Sequence, residues 1–143
     1  MAYAAGDRLT AGRTNRLRTK TDGAIGSSTV AASQTNVDVP SATVTMTAET
    51  AADYKVICIW DFVATGAPAT SSTGRLQIDG VSQSPLGVFN ASGAGDRDTV
   101  TQVYEGTLSA SGSHTFKLIA TTSTNTTVQG ANSSITVDLK EIV

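Results

Sequence analysis

Charge is the first thing this sequence is short of. Asp, Glu, Lys and Arg make up 15% of its 143 residues, well under the usual quarter. Side chains that carry chemistry are scarcer still, with one cysteine, Cys58, and one histidine, His114. A single cysteine excludes an internal disulfide. One Cys and one His cannot supply the N and S ligands of a zinc site. Aromatic residues are 5% of the chain, with one Trp, three Tyr and three Phe. No apolar run approaches a membrane span. The N-terminus carries Asp7 and Arg8 early and does not resemble a secretion signal. These absences point to a soluble protein made in a cytoplasm, with no cofactor, no bound metal and no membrane partner.

What replaces charge is hydroxyl: 23 Thr and 15 Ser. Threonine is β-branched and fits a pleated surface, so a Thr-rich, charge-poor chain favours strands. The length suits one ordinary domain with a core of its own. The net charge of -2 is unevenly placed. Residues 1–22 hold Arg8, Arg13, Arg16, Arg18 and Lys20 against Asp7 and Asp22, a surplus of three positive charges. The rest of the chain holds five basic and ten acidic side chains. A basic segment ahead of an acidic body suits docking on an acidic protein surface. Nucleic acid is a poor partner, because no aromatic interleaves the basic residues and the acidic body repels a polyanion.

The pattern divides the chain into a docking arm and linker over 1–35 and a sandwich over 36–143. In the arm, Thr10 caps a short helix from Ala11 to Leu17, with Leu9 and Leu17 as its main apolar contacts. Asp22-Gly23 reads as a turn, followed by a Gly/Ser/Thr/Ala linker with a weak strand around Ser28 to Ala32. From Asn36 the period becomes two. Val37 and Val39 alternate, Pro40 breaks the run, and Thr43 to Thr47 resumes it. Tyr54 to Val63 is apolar on both faces at its centre, which predicts a central strand covered on both sides. Gly66 to Gly74 reads as a loop. Asp79-Gly80 predicts a tight hairpin. Thr99 to Leu108, Thr115 to Thr121 and Ile135 to Leu139 are further strands, and Ser123 to Ser133 reads as a polar loop. About eight short strands at this spacing predict an all-β, antiparallel, jelly-roll-like β-sandwich. Its core is expected to hold Val44, Met46, Val56, Cys58, Trp60, Leu76, Ile78, Val100, Tyr104, Leu108, Phe116, Leu118, Ile135, Val137 and Leu139.

The search for catalytic groups returns little. His114 stands alone beside a turn, with no G-x-S-x-G elbow in the chain. Cys58 lies among large apolar residues and reads as an inert core thiol. Asp96 and Asp98 in a Gly-rich loop are the nearest approach to a calcium site, but EF-hand spacing is absent. A loop with a local Arg97 ion pair is the better reading. Trp60 and Phe62 fall in the most apolar stretch, so they read as core rather than as a sugar platform. No catalytic residue is assigned, and the chain is not expected to be an enzyme.

Two stretches resemble known families. Ala4-Ala5-Gly6-Asp7-Arg8-Leu9-Thr10-Ala11-Gly12-Arg13-Thr14-Asn15-Arg16-Leu17 resembles the opening of many virion proteins of phages that infect actinobacteria, with Thr14 where those usually have Leu. Leu108 to Leu118, with Ser134 to Leu139, resembles the final strands of jelly-roll modules in phage capsid decoration and minor tail proteins. The resemblance implies a non-enzymatic virion component assembled in the host cytoplasm. The favoured form is a capsid decoration protein, a homo-oligomer and typically a trimer, whose partner is the major capsid protein. Its docking residues would be Arg8, Leu9, Arg13, Arg16, Leu17, Arg18 and Lys20. A minor tail or tail-tip protein, with tail proteins as partners, and a glycan-binding jelly-roll module are the alternatives.

Overall fold

The computed structural model describes residues 18–142. The expected helix over Ala11 to Leu17 therefore lies outside the described residues. So do Arg8, Leu9, Arg13, Arg16 and Leu17. Ten strands follow: β1 (Lys20–Ile25), β2 (Val37–Ala48), β3 (Ala52–Ala64), β4 (Ser72–Ile78), β5 (Val81–Ser82), β6 (Gly87–Phe89), β7 (Arg97–Leu108), β8 (Gly112–Thr121), β9 (Thr126–Val128) and β10 (Ser134–Glu141). Among the described residues the one helical element is a 3-10 turn, Gly130–Asn132.

The strands form two antiparallel sheets. The first runs β1-β10-β3-β7, with β9 also on β3. The second runs β2-β8-β4-β5, with β6 also on β4. The pairings are nested. The first strand pairs the last, β2 pairs β8, β3 pairs β7, and β4 pairs the short β5 and β6. Two further ladders, β10 with β3 and β8 with β4, join neighbouring turns of the roll, and the short β9 adds to β3. A long antiparallel ribbon folded at β4–β6 and wound on itself produces this order, which is the jelly roll.

Alternation sets the core. On β3, Val56, Cys58, Trp60 and Phe62 are fully buried, and on β10 Ile135, Val137 and Leu139 are too. Across the gap lie Val44, Leu76, Phe116 and Leu118. Phe62 stacks on Phe89 at 5.4 Å between ring centroids, and Tyr54 meets Phe116 edge-on at 6.1 Å. Both contacts bridge the two sheets. Each buried side chain of this size stabilises the fold by about 1.5–3 kcal/mol. Of the expected core residues only Val100 is less than buried, and it packs against the cluster from the margin. Asp79 and Gly80 both have positive φ, 49° and 84°, as the type I′ hairpin between β4 and β5 requires.

Three expectations change. The sandwich begins at Lys20, not Asn36, because β1 pairs β10 along its whole length from Lys20↔Leu139 to Ile25↔Ser134. Its sequence, KTDGAI, has poor strand propensity, and the strand exists because β10 offers it a ladder. Asp22-Gly23 is thus part of a strand, with the Asp22 carboxylate accepting the next N–H. The weak strand around Ser28 to Ala32 reduces to one bridge, Val30↔Val128. Second, β3 is central, but among the described residues it is covered on one side only: Ile57, Ile59 and Val63 are half-buried, and no further layer of described residues sits over the outer face. Third, two loops contain strands. Gly74 lies within β4, and Thr126–Val128 extends the β3 ladder with Thr126 and Val128 buried.

Candidate functional site

Two docking residues named from sequence fall within the described chain. Arg18 is exposed. Lys20 is engaged inside the domain: its Nζ lies 2.6 Å from Glu141 Oε1 and 3.2 Å from the Thr47 carbonyl. The Glu141 side chain is 1% exposed and also accepts the backbone N–H of Glu49 at 3.2 Å. Lys20 therefore fastens the first strand to the last and to the end of β2. Thr21 adds a second tie, donating to Asp138 at 2.6 Å.

The outer face of the β1-β10-β3-β7 sheet has two parts. At one end Ile25 and Val103 are 66% and 42% exposed, beside half-buried Ile57 and Ile59. At the other end lies a shallow groove of about 580 Å³. Thr19, Asp53, Lys55, Glu105, Asp138 and Lys140 line it, so it opens where residues 1–17 join the fold. Lys55 and Glu105 pair at 3.6 Å, and Asp53 accepts the Thr107 hydroxyl at 2.8 Å.

His114 is buried, with Nδ1 2.7 Å from Asp79 Oδ2 and Nε2 3.1 Å from the Ala110 carbonyl. Both neighbours are acceptors, so only the doubly protonated imidazolium satisfies both. The hydrogen bond to Asp79 raises the His114 pKa, with burial opposing and the Ala110 carbonyl adding to the rise. For Asp79 burial pushes upward, but the bonds from His114 and the Thr115 N–H win and lower its pKa. A ring held charged and donating at both nitrogens is a staple between the β4–β5 hairpin and the β7–β8 turn. It is a poor general base.

A raised His pKa contributes stability in full below the unfolded value, about 6.5, and loses it as pH rises through the folded value. His114→Gln is accordingly expected to destabilise more at about pH 5.5 than at about pH 8.5. The difference should be below about 1 kcal/mol, because Asp79 is partly exposed. Urea unfolding at both pH values checks it, and an equal cost at both would refute the charged staple.

The Asp96/Asp98 loop closes on itself. Asp96 Oδ2 accepts the Ser92 N–H and hydroxyl and the Gly93 N–H, at 2.7, 2.9 and 3.2 Å. Arg97 turns away from both aspartates in the loop and forks onto Asp61, Nε donating to Oδ1 at 2.9 Å and Nη2 to Oδ2. The local ion pair expected within the loop is therefore not formed, and the partner of Arg97 is Asp61 of β3. Burial pushes the Cys58 thiol pKa up, which keeps it unreactive. Among the described residues no group of three or more His, Cys, Asp or Glu is placed to hold a metal ion. Among them, too, no helix is long and apolar enough to cross a membrane.

No family model matches this chain, and no curated protein matches it. Among solved structures, a chain in the structure of infectious bursal disease virus Gx strain is similar with a TM-score of 0.34 and 10% identity. The match covers 88% of this chain and 38% of that one, so this chain spans well under half of its length. At that score the likeness adds nothing to the jelly roll read from the strand pairings.

Proposed function

We propose that this chain is a non-enzymatic structural component of a phage particle, a capsid decoration protein that docks on the shell through its basic N-terminal segment. The observation that carries the reading is the route by which that segment enters the fold. Residues 1–19 lead directly into β1, which is laced to β10 by a six-residue antiparallel ladder. Lys20–Glu141 and Thr21–Asp138 pin the start of that ladder. A pull along the strand axis would load this ladder in shear, over all its bonds together. Lys20 then belongs to the anchor. Arg8, Arg13, Arg16 and Arg18 remain to meet acidic groups of the major capsid protein, with Leu9 and Leu17 as apolar contacts. Each exposed ion pair contributes little, and repetition over a symmetric shell supplies avidity.

The test is co-sedimentation of the full chain, and of a chain lacking residues 1–17, with empty phage heads and separately with tails. A cut after residue 24 would strip most of an edge strand and confuse misfolding with lost docking. The full chain is expected to pellet with heads, more weakly as salt rises, and the truncated chain to stay in solution with an unchanged circular dichroism spectrum. Binding to tails alone would move the protein to the tail. Binding to neither would overturn the docking reading.

A further inference from the structure

A sheet exposes unpaired N–H and C=O groups at each edge, and proteins blunt such edges with short strands, proline, lysine or bulges. Three of the four edge positions here are blunted. β1 has six residues, starts at Lys20 and includes Asp22 and Gly23. β2 carries Pro40, a positive φ of 65° at Ser41 and a register shift between Asp38 and Thr43. β5 and β6 have two and three residues. The fourth edge, β7, carries charge at Arg97, Asp98 and Glu105 and a glycine at Gly106, but it is neither short nor interrupted. It runs for 12 residues, without proline or lysine, in unbroken register from Ala52↔Leu108 to Val63↔Arg97.

The direction of the free groups can be read from the ladder. Ala64 N–H donates to the Asp96 carbonyl at 2.8 Å, continuing the β3–β7 pairing. Even-numbered residues of this strand therefore bond to β3, and alternation turns the odd-numbered ones to the open side. The Val103 carbonyl fits this, accepting the side-chain amide of Gln102 at 3.3 Å. No other backbone hydrogen bond reaches that side among the described residues.

We propose that β7 pairs edge to edge with β7 of a second copy of this chain, antiparallel about a two-fold axis through Thr101. In this register Arg97 stands opposite Glu105 of the partner subunit, and the reverse, while Thr99 faces Val103 of the partner subunit. Odd residues meet odd residues, so their outward N–H and C=O groups exchange bonds. A shift of two residues along the strand still pairs odd with odd but sets Arg97 against Thr107 and loses both ion pairs. Arg97, forked onto Asp61, is 54% exposed at its side chain, and Glu105, paired with Lys55, is 67% exposed, so each keeps an open side toward a partner. The contact joins two sheets into one continuous layer and extends the apolar stripe of Ile57, Ile59 and Val103 across the axis. It is a closed, two-fold interface and stands whether or not the protein belongs to a particle.

Analytical ultracentrifugation of the full chain over a range of concentrations is expected to show a reversible dimer. Thr101→Lys sets two like charges face to face and is expected to weaken it about tenfold or more, with the folded spectrum retained. Thr101→Cys places two thiols on the axis, with Cα atoms about 5.5 Å apart, inside the span of a disulfide. Mild oxidation should give a covalent dimer faster than for Thr45→Cys on the other sheet, and buried Cys58 leaves little background. A monomer at all concentrations, a mass of three, or a dimer that Thr101→Cys fails to trap faster than the control would each overturn the pairing.

Discussion

Gly74→Ala is expected to destabilise the fold by about 3 kcal/mol or more, at the upper end of what overpacking costs. A methyl group at Gly74 would sit 2.4 Å from Cδ2 and Cε2 of Trp60. The Trp60 indole is fully buried, and its N–H has no acceptor among the described residues. The ring lies flat against the strand backbone where β4 pairs β6, and Gly74 faces Gly87 there. Two glycines side by side make the hollow that a tryptophan fills. The ring cannot retreat, because it is wedged at the centre of β3 with both sheets around it, and the β4 backbone cannot move without breaking its ladder to β8. Gly87→Ala should cost less, since its methyl would first meet a Val100 methyl at 2.9 Å and the ring only at 3.4 Å. The decisive measurement is a double-mutant cycle by urea denaturation. In a Trp60→Leu background the Gly74→Ala cost should largely vanish. Costs that simply add would show that Gly74 matters for some reason other than the ring.

That glycine shows what could be read from the sequence and what could not. The strands with strong period-two patterns, such as Thr99 to Leu108 and Ile135 to Leu139, are fixed by their own side chains and are where the alternation places them. So is nearly all of the core. Gly74 instead follows a Pro/Ser/Thr/Gly stretch and carries every local signal of a loop. Only the indole of Trp60, 14 positions earlier, makes a glycine in a strand favourable there. β1 fails for the same reason: KTDGAI has no strand character, and its partner lies at the far end of the chain. β9 is three residues of threonine and valine inside a polar stretch, held by β3 and the Val30 bridge. Nested jelly-roll pairing makes most contacts non-local, and local propensity is silent about them.

The candidate site divides the same way. The basic character of residues 1–22 is visible in composition, and so is the acidity of the body. That Lys20 turns inward to Glu141 depends on the first strand meeting the last. Whether a strand is central or at an edge has no local signature either. β3 and β7 both alternate well, yet β3 is paired on both sides and β7 on one. The edge that matters for self-association is therefore found by counting ladders, after which its lack of lysine, proline or bulge becomes meaningful.

Asp61→Asn is expected to cost about 2–3 kcal/mol at neutral pH, the range for hydrogen bonds to a charged group. Asp61 is on the outward-facing register of β3, yet only 1% exposed. Arg97 at the start of β7 forks onto its carboxylate, and the Asn132 amide donates to Oδ2 at 2.9 Å. Its backbone serves the same junction, the N–H donating to Ser133 Oγ and the carbonyl accepting the Gln129 N–H. The residue thus ties β3 to β7 and to the 3-10 turn that leads into β10. An asparagine keeps the shape but presents an NH2 group to a guanidinium or an amide that also donates. Arg97→Lys loses the fork while keeping the charge and should cost about 1 kcal/mol. The pH dependence separates charge from shape. The bond from Arg97 lowers the Asp61 pKa, burial pulls the other way, and the Asn132 bond adds to the lowering. A lowered carboxyl pKa contributes stability above the unfolded value, about 3.9, and loses it as pH falls through the folded value. The gap between wild type and Asp61→Asn should therefore be full at about pH 7 and shrink toward about pH 2. Denaturation curves at the two pH values measure it. A gap that persists undiminished in acid would mean that Asp61 holds the junction by its shape alone. Because Asp61 also holds Arg97 at the end of β7, the variant should weaken dimer formation at neutral pH as well. Thr101→Lys, by contrast, should weaken the dimer and leave the unfolding of the monomer unchanged.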